Sequence, residues 1–216
     1  MGREDEVQKG QSISPGYLVA SPKLDGSPFE RAVVAMVHHD DEGAMGFILN
    51  KPLEIDFGSL IQSVNEGIAR DIVPQSFTIP VHFGGPVRIE QLWLIFQRSI
   101  RGEESLESNR RLLKRLKEPD DGALTFSDGW FLAASSEIIE GFAVGEEAGE
   151  YRPFIGYAGW GPGQLEEEID DGSWLLLDFE EDFFFDALPT LHWEDALQRL
   201  GVNATAFLMM GKAGMA

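Results

Sequence analysis

Apolar residues along this chain fall into short runs separated by polar, Gly- and Pro-containing stretches. Tyr17-Leu18-Val19-Ala20 predicts a strand stopped at Ser21-Pro22. Ala32-Val33-Val34-Ala35-Met36-Val37 is apolar without alternation, the pattern of a strand buried on both faces. Met45-Gly46-Phe47-Ile48-Leu49-Asn50 predicts its returning partner, ended by Lys51-Pro52. The polar stretch between them, His38-His39-Asp40-Asp41-Glu42-Gly43, reads as the longer loop of a hairpin. Two further strands are expected near Val81-His82-Phe83 and Leu92-Trp93-Leu94-Ile95-Phe96. A hairpin spans Ala123 to Ala134 around Ser127-Asp128-Gly129. Phe154-Ile155-Gly156-Tyr157 and Trp174-Leu175-Leu176-Leu177 complete the strands.

Helical spacing is rarer. Asp56 can cap a helix carrying Leu60, Ile61, Val64 and Ile68 at a 3.6-residue period. Ser135 or Ser136 opens a short helix through about Phe142, and Pro162 suits the first position of another reaching Ile169. Trp193, Ala196, Leu197 and Leu200 lie at i, i+3, i+4 and i+7, with Gly201 as the stop. Phe179, Phe183, Phe184, Phe185 and Leu188 alternate with acids and suit a short helix anchoring its rings in the core. The run Ala206 to Met210 fits either a strand or a helix. Leu106, Leu112, Leu113 and Leu116 predict one more helix over 105–117, whose solvated face carries Arg110, Arg111, Lys114, Arg115 and Lys117. Strands outnumber helices and hairpins outnumber crossovers. The expected class is therefore α+β: a single compact domain over 15–216, built from several hairpin-connected, coiled antiparallel or mixed sheets with a few flanking short helices. Residues 1–14 form a polar, flexible N-terminal tail in this reading.

Composition narrows the chemistry. The chain has 216 residues and no cysteine, which removes disulfides, thiol catalysis and Cys-based metal sites. Its polar start has no apolar core of a signal peptide, and no apolar run is long enough to span a bilayer. A cytoplasmic protein with no membrane partner is expected. Thirty-seven acids face 17 bases, a net charge of −20. Between Glu137 and Arg199, seventeen acids against two bases leave −15. Such a field repels phosphate backbones and opposes direct nucleic-acid binding.

Glycine marks the candidate sites. Gly156-Tyr157-Ala158-Gly159-Trp160-Gly161-Pro162-Gly163-Gln164-Leu165-Glu166 surrounds one indole with glycines, as tight turns or close backbone approach require. The sequence is not G-x-G-x-x-G, lacks a following Lys-Ser/Thr, and places Glu166, Glu167 and Glu168 where a phosphate would bind at a helix start. A nucleotide-binding reading is poor. His38, His39, Asp40, Asp41 and Glu42 supply metal-ligand types without a zinc-enzyme spacing, and a polar turn accounts for them. On an extended segment, His38 and Asp40 would share a face. No G-x-S-x-G elbow appears. Lys51 beside an apolar wall could have a lowered pKa, although a solvated strand-end Lys is the simpler reading; Asn50 suits a bond to loop backbone. No cofactor is implied.

Four segments, in order, resemble the AlgH/YqgE family of bacterial proteins. They are Leu18-Val19-Ala20-Ser21-Pro22 with Phe29-Glu30-Arg31-Ala32-Val33; His39 through Leu53; Phe83-Gly84-Gly85-Pro86-Val87; and Gly156 through Glu166 with Trp174 following. Together they cover roughly residues 17–200. The resemblance implies a compact α+β fold in the bacterial cytosol and no established reaction; the family name points to a regulatory role. Members often carry a His near the end of the strand after Gly-Gly-Pro-Val, where this chain reads Leu94-Ile95-Phe96-Gln97-Arg98-Ser99. The basic segment 103–121 is longer than the family's usual pattern.

The expected site joins three motifs on one concave surface with few charges: Asn50 and Lys51; Gly84, Gly85 and Pro86; and Gly159, Trp160, Gly161, Gly163 and Gln164. The leading expectation is a binding or regulatory module acting through protein or small-molecule contacts there. One alternative is a transcriptional regulator working through a partner. Another is an enzyme with a site near Asn50 and Lys51, using His38 or His39. A buried, apolar setting for Trp160 would exclude direct ligand contact by its indole.

Overall fold

Eleven consecutive residues, Glu150–Trp160, form the strand on which the rest of the molecule is assembled. The computed structural model describes residues 12–97, 123–147, 149–186 and 191–213. The expected basic helix over 105–117 lies outside them, as do residues 1–11 of the expected tail. Among the described residues the strands are β1 (Gly16–Ala20), β2 (Val33–Asp40), β3 (Gly43–Ile48), β4 (Pro52–Asp56), β5 (Pro80–Phe83), β6 (Val87–Gln97), β7 (Ala123–Ser127), β8 (Trp130–Ala133), β9 (Glu150–Trp160) and β10 (Trp174–Asp178). The helices are α1 (Phe57–Val64), α2 (Ser136–Ala143), α3 (Gln164–Asp170), α4 (Glu181–Asp186), α5 (His192–Arg199) and α6 (Ala204–Ala213).

The sheet runs β10-β1-β2-β3-β9-β6-β8-β7, with β5 bridging β4 and β9. Every pairing is antiparallel except β5 with β9. β9 is long enough to serve two halves. Its end pairs with β3 through Ala158–Trp160, and its body pairs with β6 from Tyr157 back to Glu150. The result is a curled α+β domain.

Three buried clusters follow from this curl. The first packs β1, β2, β3 and β9 under α4 and α5, through Tyr17, Val33, Phe47, Phe154, Phe184 and Trp193. The second sits under α1 and α2, through Phe57, Ile61, Phe96, Ile138 and Phe142. The third lies on the opposite face of β1–β3 and holds Leu18, Val34, Met36, Trp160, Leu165 and Trp174. β2 therefore feeds both faces, as its unalternating pattern requires.

Local signals explain most elements. Asp56 accepts from the Ser59 N–H at 2.7 Å and caps α1. Asp128-Gly129 closes the β7–β8 hairpin as a two-residue turn, with Gly129 at φ 73°. Gly201, at φ 72°, ends α5. Ala206 to Met210 falls in α6.

Several boundaries differ from the sequence reading. The loop between β2 and β3 is only Asp41-Glu42, because Asp40 pairs with Gly43 and both histidines belong to β2. The extra length is absorbed by a bulge between Met36 and His38 rather than by the turn. β9 runs through Trp160, so Gly156 and Gly159 are strand residues. α3 starts at Gln164 after a left-handed Gly163, with Pro162 outside it. α1 stops at Val64; Ile68 belongs to a separate 3₁₀ turn started by Asn65, whose side chain accepts from the Gly67 N–H. Residues 12–14 are tied to β2: Ser12 Oγ donates to His39 O at 3.1 Å and Ser14 Oγ to Met36 O at 3.3 Å.

Candidate functional site

An open groove of about 400 Å³ lies where β2, β3 and the end of β9 meet. His38, Asp40 and Glu42 line one side, Met45, Val87 and Tyr157 supply apolar surface, and Gly43, Gly159 and Gly161 contribute bare backbone. The bulge in β2 builds the polar side. An extra residue in one strand shifts the alternation of its side chains. Val37 stays in the first core cluster, His38 and Asp40 reach the groove, and His39 points the other way, toward α3.

Glycine lets the floor form. A Cβ on Gly43 would sit 2.4 Å from Trp160 O, so only glycine allows β3 this close to β9. A Cβ on Gly85 would sit 2.3 Å from the carbonyl carbon of Tyr157, and Gly85 also has φ 152°. Gly84 and Gly85 thus wedge against the back of β9, with Gly84 O accepting from Ile48 N–H at 2.9 Å. Arg88, just past Val87, is held at φ 48°, a left-handed conformation uncommon for a residue with a side chain.

The groove's charges are ordered. His38 Nε2 lies 3.0 Å from Asp40 Oδ2, and both side chains are about half exposed. The Glu42 N–H donates to Asp40 Oδ1 at 2.8 Å and, with His38, holds this carboxyl below the usual range. His39 is the buried counterpart. Its Nδ1 accepts from Ile13 N–H at 3.1 Å, which fixes the proton on Nε2, 2.9 Å from Glu166 Oε1. Glu166's own backbone N–H, then His39, keep its carboxyl low. Among the described residues, no group of three or more His, Asp or Glu side chains is placed to hold a metal ion.

The three sequence motifs are neighbours but do not share one wall. Gly159 and Gly161 line the groove, and Trp160 borders it. The indole itself is packed away: Trp160 is 6% exposed, stacks on Phe29 at 6.2 Å, and donates Nε1–H to Glu168 Oε2 at 3.0 Å. Trp174 Nε1–H reaches the same oxygen at 2.8 Å. Gln164 joins this staple, accepting from Gly161 N–H at 3.1 Å and donating to Glu168 Oε1 at 2.9 Å. Gly163 supplies the left-handed cap of α3. The indole is therefore a packing element, and at Gly159 and Gly161 the groove presents backbone instead.

Gly84, Gly85 and Pro86 stand behind the groove, where only the following Val87 enters it. Asn50 and Lys51 lie past the far end of β3. Asn50 accepts from Val33 N–H at 3.0 Å and donates to Arg31 O at 2.8 Å, which braces the β2 entry. Lys51 Nζ donates to Pro28 O at 2.7 Å; burial lowers its pKa and the charge of Glu30 opposes the shift. Sequence reading gave no binding role to Met45, Tyr157 or Val87. The available signal was strand parity: with β3 and β9 paired at Met45 and Gly159, alternate residues of both strands fall on one face.

Comparison with known proteins places this geometry. The AlgH-like family model matches residues 17–205. A UPF0301 protein of Anaeromyxobacter dehalogenans is 32% identical over 200 residues, covering 92% of this chain and 93% of its own. A UPF0301 protein of Ruegeria pomeroyi is 32% identical over 203 residues, covering 92% and 96%. The solution structure of the AlgH protein from Pseudomonas aeruginosa superposes with TM-score 0.69 at 22% identity, covering 95% of this chain and 96% of that one. A crystal structure from Corynebacterium diphtheriae gives 0.62 at 16% identity, covering 92% and 91%. The shared fold and a match across most of the sequence have one meaning: the chain belongs to the AlgH-like family.

Proposed function

We propose that this protein is a binding module whose groove, at the glycine-rich end of β9, takes a small molecule or a segment of a partner protein. The observation that carries the reading is the groove's construction. Two glycine-dependent close approaches and a bulge hold open a cavity of about 400 Å³ with mixed polar and apolar walls. Binding sites combine apolar surface with a few fixed polar groups. Here Tyr157, Met45 and Val87 give the surface, while His38 and Asp40 give an ordered pair. The acidic balance of the whole chain supports a role in regulation through a protein or metabolite rather than through direct contact with nucleic acid. Among the described residues, no helix is long and apolar enough to cross a membrane.

The test is native mass spectrometry of the freshly purified chain against a metabolite panel, with Gly161→Phe as the control. A Cβ at Gly161 meets nothing nearer than Gln164 Oε1 at 4.0 Å, so the ring can occupy the groove while the fold stays intact. A bound mass seen with the native chain and lost in the variant supports the reading. Adducts that survive the variant unchanged, or no adduct from any compound or partner peptide, overturn it.

A further inference from the structure

The groove is polar at one end and apolar at the other, and strand register sets that order. Asp40 pairs with Gly43 and His38 with Met45 across β2 and β3; Met45 pairs with Gly159 across β3 and β9; Val87 pairs with Tyr157 across β6 and β9. Residues two apart on a strand share a face. Three rows therefore cross the groove. Asp40 and Gly43 lie beside Gly161, His38 and Met45 beside Gly159, and Val87 beside Tyr157. Gly161 and Tyr157 are four residues apart, about 13 Å of extended chain.

Each end is fixed in place. At the turn end Glu42 joins Asp40, and among the described residues no Lys or Arg lines the groove; Arg88, next to Val87, lies outside its lining. The Glu42 N–H and His38 hold the Asp40 carboxylate in one orientation and keep it ionised. Gly43 and Gly161 carry no side chain to fill the space beside it. At the other end, the Tyr157 ring occupies room that Gly159 leaves: a Cβ there would sit 3.0 Å from Tyr157 Cε2 and 3.7 Å from Val87 Cγ2. The Trp93 ring stands 5.8 Å from that of Tyr157, at 79° to it. A ring restrained in this way offers a ligand a settled apolar platform.

We infer that the groove takes a small amphipathic amine, with its ammonium beside Asp40 and Glu42 and its apolar body along Met45 and Val87 against Tyr157. The inference rests on the reading of the groove as a binding site and names its ligand class. Charge selects that class. Two carboxylates outnumber the one histidine, whether or not the imidazole carries a proton, so the turn end stays negative. It attracts a cation and repels a carboxylate or phosphate. An ammonium brings three N–H donors, which carboxylate oxygens accept. A bare metal ion fits less well, because among the described residues no three His, Asp or Glu side chains are placed to hold one. The apolar rows would give it no ligands, whereas they suit the body of an organic amine.

The experiment is an NMR titration of the ¹⁵N-labelled whole chain at pH 7.5 and low salt with 2-phenylethylamine, following the Gly43, Gly159 and Gly161 amides. 2-Phenylethanol and 3-phenylpropanoate serve as neutral and anionic controls. The amine should shift these amides saturably and bind about fivefold to tenfold more tightly than the alcohol, and the acid should leave them still. Asp40→Asn should weaken the amine about fivefold and Glu42→Gln about twofold, as exposed charge pairs do. Gly161→Phe should abolish the response. A chain of net charge −20 attracts cations everywhere, so amine shifts at these amides that survive Gly161→Phe, or that ignore both charge substitutions, overturn the site. If the alcohol or the acid binds the native chain as tightly as the amine, and Gly161→Phe removes it, the groove stands as a binding site and the amine class falls. If none of the three moves these amides, the amine class falls as well, while the metabolite panel decides the binding reading separately.

Discussion

The two ends of β9 solve opposite problems. At the Gly156–Gly161 end, side chains are withheld so that backbones can approach: Gly43 against Trp160, Gly85 against Tyr157. The polar groups there are matched, with the two indoles on Glu168 and Gln164 on Gly161. At the Arg152 end, a large charged side chain, 8% exposed, is inserted against the Phe184 and Phe185 rings, and the buried Trp130 Nε1 and His192 Nδ1 have no hydrogen-bond partner. One end is rigid through exclusion of atoms, the other unsatisfied through their excess. A steric feature of this kind predicts effects insensitive to solution conditions. An electrostatic one predicts effects that follow pH.

The largest test breaks the steric end. In Gly85→Ala, the added carbon collides with backbone atoms of Tyr157 and Ala158 at 2.3–2.4 Å, and its φ of 152° is one that L residues rarely adopt. Backbone cannot step aside as a side chain can, so a loss of about 3–5 kcal/mol is expected by urea unfolding. The loss should be the same at pH 5 and pH 7. A change below about 1 kcal/mol would mean that β9 and the Gly84-Gly85 wedge are not held together as described.

Next comes the unsatisfied end. His82 and His192 have folded pKa values of about 3 and 4, below the ordinary 6.5. Their neutral forms are favoured by the fold, and the unfolded chain takes up protons first as pH falls through 6.5. Their contribution is therefore full above pH 6.5 and is lost as pH drops toward 4. Each histidine should account for about 2 kcal/mol of lost stability between pH 7 and 5. His82→Phe should flatten the urea midpoint against pH in that window by the share of one proton, while Gly85→Ala leaves the slope alone. An unchanged slope in His82→Phe would show that this ring is not buried as a neutral group.

A smaller effect is expected at Glu168, whose carboxylate receives both indoles and Gln164. Glu168→Ala should cost about 1–3 kcal/mol, because two buried N–H groups lose a charged acceptor. Glu168→Gln, which keeps an acceptor oxygen, should recover part of it. Tryptophan fluorescence reports the change, since Trp160 and Trp174 lie 6.0 Å apart and both depend on this residue. If Glu168→Ala leaves both the unfolding midpoint and the emission unchanged, the staple does not hold the loop.

What was legible in the sequence divides along the same strand. Asp56, Asp128-Gly129 and Gly201 act within a few residues, so their cap, turn and stop could be read directly. The family resemblance carried the fold. The parity of His38 and Asp40 gave their shared face, but the hidden bulge at Val37 made the β2–β3 turn look long. Motif density, not any local rule, suggested Gly84-Gly85-Pro86 beside Gly159–Gly163 and Asn50; the close approach formed is to Gly156, Tyr157 and Ala158, one strand segment earlier. Arg152 carried no local sign, because in a strand an isolated Arg usually faces water; only the arrival of α4 from far along the chain buries it. His82 stood inside a predicted strand with nothing to say which face was covered.

The smallest expected effect on stability is also the sharpest use of the contrast. Gly161 lies only a few residues from Tyr157, which Gly85 crowds, yet a Cβ there meets no atom within ordinary contact distance other than the end of Gln164. The steric demand at this end of β9 is thus local: severe at Gly43 and Gly85, tight at Gly159 and slight at Gly161. Gly161→Phe should change unfolding free energy by no more than about 0.5 kcal/mol, as surface substitutions usually do, while filling space that Tyr157, Met45 and Val87 enclose. Chemical denaturation and binding measured on one preparation separate the two consequences. Unchanged stability with lost binding means that the glycine at 161 is needed for access, whereas the glycine at 85 is needed for the fold. A large loss of stability would instead make Gly161 a packing residue like Gly85, and the groove would then be a by-product of how β3 and β9 meet.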